Sequence, residues 1–167
     1  MMADRRGKGS YDRNYTGVIR KVRVTVGLLA LAMITFVFVL GVGTARDDGM
    51  RPAISAGRPL LYLRLDRDCR RGELAYVTFP DGTRTVRRVI AVKGDTVDVR
   101  DGMVYINGLA ERGSYSYTRT DPAANGPSYP LLLKEGEIFV LGDNREQAVD
   151  SRSFGALKRD AVLGRVL

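Results

Sequence analysis

The chain has 167 residues, room for one domain and a small appendage, and its 27 Lys and Arg against 19 Asp and Glu leave a net charge of +8. Seven basic and two acidic residues fall within 1–23, so only +3 remains beyond them, and no aromatic-rich basic motif follows; nucleic acid is excluded as the partner. With no histidine and a single cysteine, Cys69, the chain also excludes Ser-His-Asp and Cys-His catalysis, the usual zinc sites and an intrachain disulfide framework.

Residues 1–23 are polar, Gly-containing and basic, and are expected to form an unstructured cytoplasmic tail. Residues 24–43 then run for 20 positions without a charge, with only Thr25 and Thr35 as hydroxyls. At about 1.5 Å per residue such a helix spans roughly 30 Å, the hydrocarbon thickness of a bilayer. The competing reading, a cleaved secretory leader, has an apolar region nearer about 7–15 residues. Arg5, Arg6, Lys8, Arg13, Arg20, Lys21 and Arg23 precede the span, while Arg46, Asp47 and Asp48 follow it. The positive-inside rule therefore keeps the N-terminus in the cytoplasm and residues 44–167 outside.

The outer part reads as strands throughout. Residues 60–65, 73–79 and 84–92 are β-rich runs separated by Gly, Pro and Asp, with Pro80-Asp81-Gly82-Thr83 as a turn. Residues 96–100 and 103–106 flank Asp101-Gly102, a pair suited to a two-residue type I′ hairpin that Asn107-Gly108 closes. Residues 110–130 are polar and broken by Pro122, Gly126, Pro127 and Pro130, as in a small inserted loop or cap. Residues 131–133 and 138–141 return to the sheet, and 161–167 supply a last strand. No long amphipathic helix appears outside the apolar span, so the class is mainly β with antiparallel pairs.

Four ordered boxes follow the apolar span: Gly49-Met50-Arg51-Pro52-Ala53-Ile54, Arg71-Gly72-Glu73-Leu74-Ala75-Tyr76-Val77, Arg87-Arg88-Val89-Ile90-Ala91-Val92-Lys93-Gly94-Asp95, and residues 142–152, where Gly142-Asp143-Asn144-Arg145 leads to Asp150-Ser151-Arg152. Together with Tyr105-Ile106-Asn107-Gly108 they resemble the type I signal peptidases, membrane-bound Ser-Lys proteases that remove secretory leader peptides. The resemblance implies an antiparallel signal-peptidase/LexA-like β fold behind one N-terminal transmembrane helix, and no metal or other cofactor. It also implies, as partners, the lipid bilayer and an extended peptide segment of a secreted or pilus protein, bound by strand addition beside residues 59–63 and 84–86.

The departures from the family pattern concern its chemistry. Gly49 stands at the position of the Ser nucleophile, Arg87 at that of the general-base Lys, and Ala148 at that of an accessory Ser. The family's Lys acts as a neutral amine after desolvation lowers its pKa, whereas a guanidinium stays protonated at any physiological pH. Replacement groups are poorly spaced. Ser55 and Lys93 each lie six residues past the relevant position, about 20 Å along a strand in the case of Lys93. Ser151 and Ser153 belong to the last box or its flank. The resemblance assigns Asp48, Met50, Pro52, Arg88, Gly94, Asp95, Gly142, Asp143, Asn144, Arg145, Asp150, Ser151 and Arg152 to the framework of the cleft, with Asp143/Arg145 and Asp150/Arg152 as ion pairs. Arg87 is expected to extend to water; the alternative is a contact with the Asp47/Asp48 turn, Asp48 being the nearer carboxylate in sequence.

Two functions follow. The leading one is a non-catalytic peptide-binding or assembly factor, of the kind that accompanies pilus assembly in Gram-positive bacteria. The other is an active signal peptidase.

Overall fold

The computed structural model describes residues 8–111 and 118–167, with side chains from residue 15, and divides into an N-terminal helix and a β domain. Helix α1 (Lys8–Val39) is 32 residues long, about 48 Å. Its segment Tyr15–Val39 is long and apolar enough to cross a membrane. The helix begins well before the expected residue 24, so residues 8–23 are helical where an unstructured tail was expected; residues 1–7 lie outside the described part.

The helix also stops four residues early. Leu40–Thr44 forms strand β1, paired along its whole length with β2 (Pro59–Leu63), from Leu40 opposite Leu63 to Thr44 opposite Pro59. The reason lies in Gly41 and Gly43, which face the same side of the strand. A Cβ on Gly41 would lie 2.2 Å from the ring of Tyr62, and one on Gly43 2.4 Å from that of Tyr76. Those two rings stack with centroids 4.9 Å apart. Glycine lets the tyrosine pair lie flat on the β1 backbone, and hydropathy alone does not separate these residues from the apolar helix before them.

The domain continues through β3 (Leu74–Thr78), β4 (Arg84–Val92), β5 (Thr96–Arg100), β6 (Met103–Ile106), β7 (Leu109–Ala110), β8 (Leu131–Leu132), β9 (Glu137–Leu141), a short helix α2 (Ser151–Phe154), β10 (Leu157–Lys158) and β11 (Val162–Val166). One sheet has seven strands in the order β1-β2-β11-β3-β4-β9-β10, the other four in the order β7-β6-β5-β8. The pairings are antiparallel, as the sequence led us to expect. Asp101 and Gly102 both have positive φ, 52° and 77°, as a type I′ turn requires. Asn107 and Gly108 repeat that device at 54° and 80°; they extend the hairpin into β7 rather than ending it. Of the expected insertion at 110–130, residues 112–117 lie outside the described part.

Strand β4 is the hub. It lies between β3 and β9, and all but its end residues are buried. A register shift between Val89 and Ala91 inserts Ile90 as an extra residue opposite β9. Val86, Val89, and Ile90 with Ala91 thus enter three different apolar clusters. The cluster holding Ile90 and Ala91 also takes Val97, Val99, Val104 and Ile106 of the smaller sheet, so β4 joins the two sheets through their common core.

The close approach at β1 has a measurable consequence. Gly43→Ala should destabilise the protein by about 1–3 kcal/mol, the usual cost of overpacking a filled site. Val42→Ala, on the exposed face of the same strand, should be near neutral. Thermal unfolding of the detergent-solubilised chain checks both; equal melting temperatures for the two variants would contradict the packing account.

Candidate functional site

The turn after β1 carries Arg46, Asp47, Asp48, Gly49 and Met50. Met50 is fully buried in the cluster containing Ala45, Ile54, Tyr62 and Val86, which fixes the turn to the domain. Pro52 is exposed within the turn and does not share that packing. On its other side the turn is stitched to the 142–152 loop. The Asn144 N–H donates to the Gly49 carbonyl at 2.9 Å and its Nδ2 donates to that of Asp48 at 3.3 Å. A Cβ on Gly142 would lie 2.2 Å from Ala148 Cβ and 2.5 Å from the Gly49 oxygen, so glycine is required where the loop crosses the turn.

The three positions singled out in the sequence meet here. A Cβ built on Gly49 would sit 3.1 Å from Ala148 Cβ and 3.1 Å from Arg87 Nη2. Arg87 does not extend to water: its side chain is 0% exposed. Its Nε donates to the Val149 carbonyl at 2.9 Å, Nη1 to the Val86 carbonyl at 2.7 Å, and Nη2 to Asp47 Oδ2 at 2.8 Å. The guanidinium also lies 5.4 Å from the centre of the Phe79 ring. Burial explains the correction, because a desolvated guanidinium is tolerated only where a carboxylate and carbonyls meet its N–H groups.

The partner is Asp47 rather than Asp48. Asp48 faces the other side of the turn, where its Oδ1 accepts the Ala56 N–H at 2.9 Å and meets Arg51 Nε at 3.0 Å. Asp47 bridges instead: Oδ2 takes Arg87 while Oδ1 accepts the Gly49 N–H at 2.8 Å. That same Oδ1 lies 2.7 Å from where a Cβ on Gly49 would sit. The carboxylate occupies the space that a side chain at position 49 would need. Chemically, the constellation holds the turn. A guanidinium has no lone pair with which to take a proton, and the glycine has no hydroxyl.

The groups considered as replacements are not brought in. Ser55 and Ser153 are exposed, and Ser151 Oγ accepts the Val140 N–H at 3.1 Å. Lys93, at the opposite end of β4, pairs with Glu135 at 2.8 Å. The Glu135 hydrogen bond raises its pKa, the reverse of what a general base requires. Residues 59–63 offer little of the expected peptide-binding edge, since β1 pairs with all five on one side and β11 with Tyr62 and Leu63 on the other, where the Leu61 carbonyl also takes the Leu167 N–H.

The framework residues form ion pairs, with one exchange of partners. Asp150 and Arg152 pair as expected, with both contacts at 2.9 Å, and Asp150 also accepts the N–H groups of Gly142 and Arg152 at 3.1 Å. Asp143 does not pair with Arg145; it takes Arg88 through two bonds of 2.8 and 2.6 Å. Arg145 turns away to the Gly142 carbonyl at 3.0 Å, Thr120 Oγ1 at 2.7 Å and Glu111 at 3.5 Å, and burial lowers its pKa. Register decides the exchange, because β4 places Arg88 directly opposite Leu141, just ahead of Asp143. Asp95 accepts from Nε and Nη2 of Arg71, from the Val92 N–H at 2.9 Å and from Asn107 Nδ2 at 3.1 Å, closing the turn in which Gly94 has φ 83°. Burial works to raise the Asp95 pKa, and these hydrogen bonds outweigh it, so the carboxyl titrates below its ordinary range. Sequence reasoning missed Phe79, Thr120 and Glu111 as neighbours of the buried arginines, since nothing local marks them.

An apolar N-terminal helix, an antiparallel β domain, and a turn, strand and loop meeting at one place define a signal-peptidase-like protein. The pattern of the family described as signal peptidase, peptidase S26, matches residues 18–167, and the chain belongs to that family. It is similar to a probable signal peptidase I-2 of Synechocystis sp., 30% identical over 161 residues that cover 87% of this chain and 68% of the relative. It also resembles signal peptidase I of Bacillus licheniformis, 28% identical over 154 residues, with 86% and 83% covered. A crystal structure of a signal peptidase I from Enterococcus faecalis aligns with 61% of this chain and 98% of its own at 31% identity and a TM-score of 0.49.

The ion pair gives a direct test. Asp47→Ala strands a buried guanidinium and should cost about 1–3 kcal/mol. Arg87→Met should recover most of that loss in the Asp47→Ala background, because an apolar side chain of similar length needs no partner. A double variant no more stable than Asp47→Ala alone, in denaturant unfolding, would mean that the two side chains are not coupled.

Proposed function

We propose that this signal-peptidase family member binds an extended peptide without cutting it, as a membrane-anchored assembly factor for a secreted or pilus protein. The observation that carries the reading is the Asp47–Arg87 pair at 2.8 Å, with the Asp47 carboxylate filling the space beside Gly49. A Ser-Lys mechanism needs a hydroxyl and a neutral amine, and this arrangement supplies neither. The client would add beside β4 near Arg84, where no described strand pairs on the side away from β3, Thr85 being buried with the Arg46 N–H on its hydroxyl. The choice of a pilus or secreted client rests on the family resemblance. The second reading is an active signal peptidase, which the names of the relatives favour.

Incubation of the membrane-inserted protein with a labelled preprotein separates them. Cleavage should equal the no-enzyme control, and robust cleavage by the unmodified chain would falsify the non-catalytic reading. Gly49→Ser or Arg87→Lys alone should recover little, since the pair acts as a unit. Any recovery should need both changes together with Asp47→Ala, which clears the carboxylate from the Cβ position.

Orientation belongs to the same proposal. Five net positive charges on residues 1–23 support a reading with that end in the cytoplasm and the β domain outside. Protease added to intact cells should digest the β domain and spare the N-terminal segment; a protected β domain would reverse the assignment.

A further inference from the structure

At the end of β4 away from Arg87, a cavity of about 550 Å³ opens between the loop that precedes β3, the start of β9 and Arg159. Val92 lines it, five residues or about 16 Å along the strand from Arg87, so it is separate from the site above. Its apolar floor is Cys69, Val92 and Ile138, which belong to or pack against one of the core clusters. The volume suits a few side chains of a peptide or a small ligand.

The rim is charged, and most of its charges are already engaged. Lys93 holds Glu135 at 2.8 Å and Arg159 holds Asp68 at 2.9 Å. Glu137 accepts the Lys134 N–H at 2.8 Å, and Arg71 is held by Asp95. Two lining cations remain. Among the described residues neither the Arg67 nor the Arg70 guanidinium meets a carboxylate; Arg67 Nε reaches only the Arg64 carbonyl, at 3.4 Å.

The geometry points to a docking site for an acidic–apolar peptide segment of a partner protein. Its apolar side chain rests on the Cys69, Val92 and Ile138 floor, and a neighbouring carboxylate lies between Arg67 and Arg70. Charge complementarity selects this occupant, because a guanidinium presents paired N–H donors that match a carboxylate. The carboxylates interspersed on the rim oppose a continuous anionic lipid surface while leaving room for one discrete negative group. The site does not rest on the absence of hydrolysis, and it stands or falls separately from that reading.

The probe is a fluorescein-labelled hexapeptide of alternating glutamate and leucine, titrated into the detergent-solubilised full chain and followed by anisotropy. Saturable one-to-one binding is expected, weakened about tenfold or more by Arg67→Glu with Arg70→Glu, and lost when glutamine replaces glutamate in the peptide. Arg67→Gln with Arg70→Gln, a milder pair at the same exposed positions, should weaken binding too, with the circular dichroism of each variant unchanged. No saturable binding, or equal binding by the charge-reversed chain, would overturn the proposal. So would displacement of the peptide by phosphatidylglycerol added to the same detergent micelles, if it depends on the same two arginines, since that would assign the cavity to lipid headgroups.

Discussion

A guanidinium with no exposure to solvent is the constraint around which this domain is arranged. Arg87 projects from the strand that joins the two sheets, and its charge must be met from within the protein. The Val86 carbonyl comes from its own strand, the Val149 carbonyl from the loop before α2, and the Asp47 carboxylate from the turn after β1. One side chain therefore ties together three segments that are distant in sequence. The same requirement fixes the place of Asp47, whose carboxylate oxygen lies 2.7 Å from where a Cβ at position 49 would sit.

The neighbouring arginine completes the arrangement. Successive strand residues point to opposite faces, and Arg87 and Arg88 reach the two ends of the 142–150 loop, at Val149 and Asp143. The loop is thus held at both ends by adjacent residues of one buried strand. Asp150 adds the N-cap of α2 and an acceptor for the Gly142 N–H. These contacts are charge-assisted hydrogen bonds, and removal of a charged partner leaves another charge or N–H group unsatisfied.

Much of this was legible in the sequence and some was not, for physical reasons. The strands and the Asp101-Gly102 turn were readable because alternation and positive-φ residue types are local signals. The meeting of positions 49, 87 and 148 followed from the resemblance. Strand β1 was not readable, since Leu40-Gly41-Val42-Gly43 is as apolar as the helix before it and only its pairing with β2 distinguishes the two. Ion-pair partners were harder still. Asp143 and Arg145 are close in sequence, but the β4–β9 register brings Arg88 to Asp143 first. Asp47 and Asp48 are adjacent, and turn geometry alone sends one inward to Arg87 and the other outward to Ala56 and Arg51.

Exchanging an amine for a guanidinium at position 87 changes what the site needs from its surroundings. A desolvated lysine can shed its proton and remain buried as a neutral group, which is how a Ser-Lys protease obtains its base. Arginine has no such route, because its charge persists and must be balanced. Balancing it requires a carboxylate within hydrogen-bonding distance, and a carboxylate there would also hold a lysine in its protonated form. On the non-catalytic reading proposed above, Asp47 against Arg87 opposes the chemistry twice: it sits in the space next to residue 49, and it would favour the charged state of any base at residue 87. For that reason the character of this site resides in three side chains or their absence, Asp47 together with Gly49 and Arg87, and not only in the two positions that the sequence resemblance sets at the nucleophile and base.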